Sequence, residues 1–593
     1  MKTSLYKYIV TGFMFVASFF QLDAQTNDKN VTVEKEYKPV IQDAGKINQT
    51  PKTLEPNVVK LDAKYSEFNL PLPPDNKIYP IPSAELEHRH KKNEREAFAR
   101  IGLGNGINSL AEFSLPIISK EDILLDLKLN HLGNFSSKTH SKTNLALSLD
   151  KYYKNVDIYG GVGGGHEFFK YYGNNYNYGA AGSDINKIDL SALNLLYANN
   201  LYTEQDLYRI SRTAQSFKLS DIAGLPTNET FWRFNTFFGV KSLAQDAEVK
   251  YNAEVKFQSF DSKYGLTENI IDTKGGFSTI AGNNRAGIDV DLMYLMYKKG
   301  SSTSLLNFWD AYAVFVMNPY YSIDRDDFNI RLGVKSSFSF VYGKAFNPSP
   351  DISAEWRVVP KLLALYAGAA GDYKVNTLNS MFAENPYLFT DLRVEDTYTP
   401  LNFYGGVKLK PFNNLLIDGF INYKIIDNQY FFVNKEYMAT TVTAPDSIIF
   451  TNRFNVIYSG ANLLKIGVRA NYNISNFMNF EIMGAYNSWT LATGDPAWNK
   501  PKFEASMNTD LKITNNLSVA ANVFFESERY ARFNDKTMRM KPIVDINLSA
   551  AYSYSNWFTL FAKVNNLLNS NYQQYYGYEV QGINALAGVA FSW

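Results

Sequence analysis

Histidines and a run of glycines are the residues of this sequence whose type and spacing could serve chemistry. Five of the six residues in 160–165 are glycine, and His166 follows them. A phosphate-binding loop would continue with Lys and Ser or Thr and would open a helix, whereas this run continues with His-Glu-Phe-Phe in a strand pattern. Glycines in a strand usually let a bulky neighbour approach closely, and we expect that role here. His88 and His90 have the spacing of a metal site, but two histidines in a basic stretch are usually solvated.

No other group of residues favours an enzyme. The nucleophile motif Gly-x-Ser-x-Gly does not occur, and the absence of cysteine excludes disulfides, zinc–thiolate sites and catalytic thiols. His131 and His140 flank a predicted extracellular loop. We therefore expect no catalytic, cofactor-binding or metal-binding residue and no cofactor. The 59 basic and 58 acidic residues nearly cancel, so the charge does not favour a nucleic-acid partner.

Apolar residues recur at every second position from Ala97 onward, which is the period of a β-strand. Leu464, Ile466 and Val468, for example, alternate with polar residues. In a soluble sheet the apolar face would turn inward, whereas in a membrane barrel it faces lipid and the polar face lines a wet lumen. The charged residues expected to face that lumen include Lys465, Arg469, Asp510, Lys512 and Asp545.

The end of the chain favours the barrel. Between Gly582 and Trp593 the apolar and small residues alternate, with Leu586 as the exception, and the chain ends on an aromatic residue. Aromatic residues make up 15% of the sequence although the mean hydropathy is −0.26. A barrel needs apolar residues only at alternate positions, so its average composition remains polar. The sequence predicts an all-β fold, a large transmembrane antiparallel β-barrel.

The chain before the barrel divides into two segments. Residues 1–24 have a basic start and an apolar run too short to span a bilayer, which predicts a secretory signal peptide; a short membrane anchor is the alternative. Residues 25–96 hold eight of the 21 prolines and a charged cluster, which predicts an extended, Pro-rich periplasmic arm. A flexible leader is the alternative there. Residues 97–593 are the predicted barrel.

Turn residues orient the predicted strands. Asn413-Asn414, Ser475-Asn476, Asn515-Asn516 and Ser555-Asn556 are predicted to be tight hairpin turns on the periplasmic side. Two longer connections are expected to be extracellular. Residues 170–229 are predicted to hold a helix from Glu204, and residues 375–399 a short helix stopped by Asn385-Pro386. About 22 strands follow Ala97, but the up–down order is inconsistent between 240 and 325, so the prediction is 18–22 strands.

Several short motifs resemble one family of barrels. Phe561–Tyr572, with its Asn-Asn-Leu, and Gly582-Ile583-Asn584 resemble the end of TonB-dependent receptor barrels. Ala99–Asn105, Asn318–Tyr321 and Ala383–Tyr387 resemble the Bacteroidota branch of that family. The resemblance implies an outer-membrane barrel. Such receptors carry an N-terminal plug domain longer than the segment available here, so the resemblance implies a plugless relative.

Two functions follow from this resemblance. The first is solute passage or uptake across the outer membrane through an open or self-occluded channel. The alternative is a non-transporting scaffold or subunit of an outer-membrane protein complex. The expected partners are outer-membrane lipid and periplasmic or outer-membrane proteins, which would contact residues 25–96 and the long loops 170–229 and 375–399.

Overall fold

The computed structural model describes residues 97–593 except 174–175, 179–226, 244–246, 299–310, 390–391, 393, 440–446, 475–476 and 534–535. The predicted signal peptide, the predicted arm with His88 and His90, the helix expected from Glu204 and the turn at 475–476 lie outside the described residues. Among the described residues, no helix is long and apolar enough to cross a membrane.

Strands account for most of the described chain, and in chain order they are β1 Phe98–Gly104, β2 Asn108–Ser119, β3 Ile123–Asn134, β4 His140–Tyr152, β5 Val156–Lys170, β6 Tyr176–Tyr178, β7 Asn228–Ser242, β8 Val249–Ser262, β9 Thr267–Ala281, β10 Asn284–Lys298, β11 Ala311–Asp324, β12 Phe328–Phe340, β13 Phe346–Val359, β14 Leu363–Lys374, β15 Thr397–Phe412, β16 Leu415–Ala439, β17 Ser447–Ile474, β18 Met478–Leu491, β19 Phe503–Lys512, β20 Leu517–Glu526, β21 Arg529–Phe533, β22 Lys536–Met540, β23 Ile543–Ser553, β24 Phe558–Asn565, β25 Gln573–Tyr575, β26 Tyr578–Glu579 and β27 Asn584–Ser592. A single helical turn, Asn105–Ile107, joins β1 to β2, and the helix α1, Leu378–Glu384, lies between β14 and β15.

The strands close into a barrel. Within the described residues, 22 of them pair with their neighbours in chain order, all antiparallel, and the last strand, β27, pairs with the first, β1. The short strands β21–β22 and β25–β26 form separate hairpins, and β6 pairs with β17. Ala97 and Trp593 exchange both backbone hydrogen bonds, at 2.8 and 3.0 Å, where the barrel closes. The predicted fold class is confirmed, with a strand number at the upper end of the predicted range.

Alternate residues of the strands face opposite solvents, as predicted. Ile466 and Val468 lie half-exposed on the outer wall of β17. Lys465, the residue before Ile466, is buried and points into the barrel. Ile583 and Trp593, which flank β27, are exposed, and the exceptional Leu586 within β27 is buried inside. An outer wall of apolar side chains around a closed ladder is stable only in hydrocarbon. The chain is therefore a transmembrane barrel of the outer membrane.

Loop length distinguishes the two ends of the barrel. One end carries short turns, including those predicted at 413–414, 515–516 and 555–556. The other end carries the long connections, including 171–227 and 375–396. In outer-membrane barrels the short turns are periplasmic. Between 240 and 325 the strands β7 to β11 alternate regularly, which resolves the inconsistent order in the sequence prediction.

Aromatic side chains gather near the short turns. Tyr554, Trp557 and Trp593 are exposed on the outer wall there, and the rings of Trp557 and Phe591 stack with centroids 6.2 Å apart. Amphipathic rings favour the headgroup level of a membrane. Their position is that of an aromatic belt on the periplasmic side.

Candidate functional site

Two long connections fold inward at the loop end of the barrel. We name them the α1 loop (residues 375–396) and the C-terminal loop (residues 566–583). Their apolar side chains pack against inward-facing residues of the wall in one cluster, the loop-end core. Its buried members are Phe169, Tyr171, Phe231, Phe260, Leu266, Leu378, Met381, Phe382, Leu388, Leu392, Val394, Tyr430, Phe432, Phe454, Val456, Tyr575 and Tyr578.

Local sequence and one distant carboxylate position the helix α1. Thr377 caps it: the Thr377 hydroxyl accepts from the Ser380 N–H at 3.0 Å, and the Ser380 hydroxyl accepts from the Thr377 N–H at 3.0 Å. The buried carboxylate of Glu268 on β9 accepts from the N–H groups of Leu378 and Asn379, at 2.8 and 3.2 Å. These bonds satisfy N–H groups that a helix leaves unpaired at its start.

The buried face of α1 follows from its spacing. Leu378, Met381 and Phe382 lie at i, i+3 and i+4, and each is at most 1% exposed. Burial of each such side chain contributes roughly 1.5–3 kcal/mol. The helix ends at Glu384, and Asn385 follows as its C-cap before Pro386, as predicted, because the residue before a proline avoids helical geometry.

An ion-paired network lies beneath α1. The guanidinium of Arg233 on β7 donates to Glu167 at 2.6 Å and to the side-chain oxygen of Asn379 at 2.7 Å. Glu167 also contacts the His140 ring at 2.7 Å. Arg233 therefore ties the first turn of the helix to strands β4, β5 and β7.

A buried carboxylate anchors the other end of the α1 loop. Asp396 accepts from the hydroxyls of Tyr312 and Tyr373, each at 3.0 Å, and from the Asn376 N–H at 3.2 Å. Burial raises the pKa of Asp396 to about 6, although these three hydrogen bonds act in the opposite direction. The tyrosines belong to β11 and β14 of the wall, whereas Asn376 and Asp396 lie at the two ends of the α1 loop. This carboxylate therefore joins the two ends of the loop to each other and to the wall.

The C-terminal loop contacts the α1 loop directly. Tyr575 donates to the backbone oxygen of Glu384 at 2.8 Å, and Tyr578 donates to that of Asn452 at 2.6 Å. The rings of Tyr387 and Tyr578 stack with centroids 3.6 Å apart. Segment 383–387, which carries the family resemblance in the sequence, thus meets residues 575–578 of the C-terminal loop in the loop-end core.

The residues considered for chemistry in the sequence are dispersed. Glycines 160, 161 and 163–165 lie in strand β5, as expected, and the His166 ring contacts that of Trp232 on the outer wall, with centroids 4.3 Å apart and an interplanar angle of 57°. His131 contacts Ser109 and Thr143 hydroxyls at 2.9 and 2.8 Å. Of the predicted histidines, only His140 joins the network beneath α1.

Two of the predicted lumen-facing charges have hydrogen-bonding partners inside the barrel. Lys465 is buried and donates to Glu504 at 2.6 Å, and Asp545 accepts from the Tyr572 hydroxyl at 2.8 Å. Sequence reasoning placed both inside the barrel but did not identify Glu268, Arg233 or Asp396 as anchors.

The described side chains form no grouping typical of a metal centre. No group of three or more His, Cys, Asp or Glu residues among them is placed to hold a metal ion. The arrangement at the loop end can instead hold two loops in place through apolar contacts and buried polar anchors.

Comparison with known proteins identifies the fold. No family model matches the chain. No curated protein matches its sequence.

Solved structures do match. The ferric enterobactin receptor PfeA from Pseudomonas aeruginosa superposes with a TM-score of 0.56 at 10% identity, covering 84% of this chain and 80% of that chain. The siderophore receptor PirA from Acinetobacter baumannii gives 0.55 at 11% identity, with 84% and 80% coverage. The copper transporter OprC gives 0.54 at 11% identity, with 84% and 80% coverage.

The fold is that of TonB-dependent receptor barrels. This agrees with the family resemblance of the short motifs. At about a tenth identity the similarity shows the fold alone, so the solutes printed in the names of the neighbours belong to those proteins.

Proposed function

We propose that this protein takes up a solute across the outer membrane, and that its α1 loop and C-terminal loop gate the passage at the extracellular end. The observation that carries the proposal is the loop-end core. Phe231 and Phe454 of the wall are fully buried against the inward-folded loops. A freely open pore would keep such side chains in water, at a cost proportional to their apolar area. A closed entrance that opens for a solute accounts for both the barrel and the core.

The conductance of purified protein in planar lipid bilayers tests the gate. We expect the wild-type barrel to be mostly silent and the triple variant Leu378→Ala, Met381→Ala, Phe382→Ala to show frequent open steps. Each truncation removes packing worth about 2–5 kcal/mol, which loosens the helix from the wall. The matched control is Phe135→Ala, because Phe135 lies in a loop at the same end and is exposed.

A stable open conductance in the wild type would reject the gate. A triple variant as silent as the wild type would reject passage by this route. Electrophoresis of each variant with and without boiling checks that the barrel is folded. A folded barrel changes its migration on boiling, whereas an unfolded chain migrates alike in both samples.

The second candidate function is a scaffold in an outer-membrane complex. The anchors of the α1 loop favour it, since Glu268 and Arg233 of the wall bind its helix, Tyr312 and Tyr373 of the wall bind its Asp396, and these contacts would hold a static structure equally well. A protein that stays silent in every variant but co-purifies with fixed partners in mild detergent would support this function. Such partners are proposed to contact residues 25–96 and the loops 170–229 and 375–399.

The finer family assignment is part of the proposal. The Bacteroidota-type motifs support a relative of the Bacteroidota branch of the TonB-dependent receptors, and the loop-end core supports a barrel in which the inward-folded loops take the place of a plug. Deletion of residues 25–96 tests the contribution of the arm: if the loops form the gate, the deletion leaves the closed state unchanged.

A further inference from the structure

A cavity of about 290 Å³ lies in the barrel wall beneath α1. Its polar lining comes from Asn144 on β4, Arg233 and Asn235 on β7, Gln258 on β8 and Asn379 on α1. This volume is at the small end of the range of roughly 300–1,000 Å³ for ligand sites. The cavity therefore fits a small molecule.

The polar groups of this lining have unused hydrogen-bonding capacity. The side chains of Asn144, Asn235 and Gln258 make no hydrogen bond to any described residue. Arg233 uses Nη1 and Nε, but its buried Nη2 has no partner among the described residues. A buried donor without a partner is costly, which indicates that another group completes it.

Glycines create the space. Gly163 and Gly165 face inward on β5, opposite Asn235 and Asn144 in the paired strands. A methyl group at Gly163 would collide with the side-chain oxygen of Asn235, and one at Gly165 would lie 2.8 Å from that of Asn144. Gly164, between them, faces outward, and its nearest atom would be 3.9 Å from an added methyl group. Two small inward positions thus keep the amides accessible from the cavity.

The charge around the cavity favours a neutral ligand. Arg233 is already paired with Glu167 behind the lining, and the carboxylate of Glu268 is on the lining itself. An anion would approach these carboxylates, and a cation would approach the guanidinium. Amide side chains both donate and accept, as hydroxyl groups do. We propose that this cavity binds a small, neutral, hydroxyl-rich molecule such as a monosaccharide. The inference rests on the proposed uptake function, since a solute in transit is what such a site would hold.

Equilibrium dialysis of the purified full-length barrel in detergent tests the site. The probes are radiolabelled D-glucose and two charged molecules of similar size, D-gluconate and D-glucosamine. We expect saturable binding of glucose that Gly163→Ala and Asn235→Leu each weaken about tenfold, the effect of one or two lost hydrogen bonds. Gly484→Ala is the matched control, with the same change on the outer wall of β18 away from the cavity, where an added methyl group meets nothing within 4 Å, and it should bind as the wild type does.

Absence of saturable glucose binding, equal binding by Gly163→Ala, or tighter binding of either charged probe would overturn the proposal. The dialysis does not depend on conductance, so the two proposals fail separately. A barrel that conducts but does not bind glucose refutes the site alone. A barrel that binds glucose but never conducts refutes the uptake function alone.

Discussion

Asp396 is a carboxylate that the fold keeps from water, and this has a consequence for the gate. Tyr312 and Tyr373 of the wall each donate a hydrogen bond to it, and both bonds would be lost if the α1 loop left the lumen. Released into water, Asp396 would regain the ordinary pKa of 3.8, whereas burial raises it to about 6. Protons therefore bind more tightly to the closed state than to the open state.

This proton binding predicts how opening depends on pH. Between about pH 4 and pH 6 the closed form keeps its proton and the open form loses it, so closure weakens as the pH rises through this window and levels off above it. A shift of two pKa units corresponds to about a hundredfold in the opening equilibrium. We expect bilayer openings to be rarer at pH 4.5 than at pH 8, and Asp396→Asn to remove most of that difference. An unchanged pH profile in the variant would show that another group controls closure.

At the scale of the element, α1 depends on a residue far from it in the chain. Glu268 precedes Leu378 by 110 residues, yet its two oxygens accept the first N–H groups of the helix. Hydrogen bonds to a charged acceptor contribute about 1.5–3 kcal/mol. The helix is too short to be stable alone, so it should detach when this acceptor is weakened.

Glu268→Gln tests this anchor, since the amide retains the size of the side chain but accepts with one oxygen only. We expect chymotrypsin to cleave after Phe382 roughly ten times faster in the variant than in the wild type, because local opening exposes the site. Gln258→Glu, at a neighbouring inward position without a contact to the backbone of α1, is the control. Equal cleavage of the wild type and Glu268→Gln would mean that the apolar face alone holds the helix.

The same helix shows how far a sequence can predict such a site. Its existence and its end at Asn385 follow from local residues, since Pro386 acts on its immediate neighbour. Its position does not, because Glu268 and Phe231 lie in distant strands and no local pattern links them to Leu378. The up–down order of the strands between 240 and 325 was inconsistent in the sequence prediction because the alternation of apolar and polar residues fails near Ile270. Ile270 is buried inside and Ile271 faces lipid, so both walls are apolar there and the two-residue period disappears.

At the scale of the whole molecule, the closed barrel and the lumen inside it depend on the pairing of β1 with β27. Gly102 and Gly588 face each other across this seam, and the Phe561 ring covers both. A side chain at Gly588 would collide with the backbone oxygen of Ile101 and would lie 2.6 Å from the Phe561 ring. The backbone of a paired strand cannot yield without breaking the ladder, so the seam accepts only glycine.

Gly588→Val should therefore prevent closure and leave two unpaired strand edges, which aggregate or are degraded. Gly484→Val is the matched control, because an added carbon at Gly484 on the outer wall meets nothing within 4 Å. We expect the control to migrate as a folded barrel before boiling and as an unfolded chain after it, and the seam variant to migrate as unfolded in both samples. A heat-modifiable band from Gly588→Val would mean that the wall closes through another pairing of β1. The strand register between β1 and β27 would then not be the one described, and the position of the C-terminal loop in the loop-end core would have to change with it.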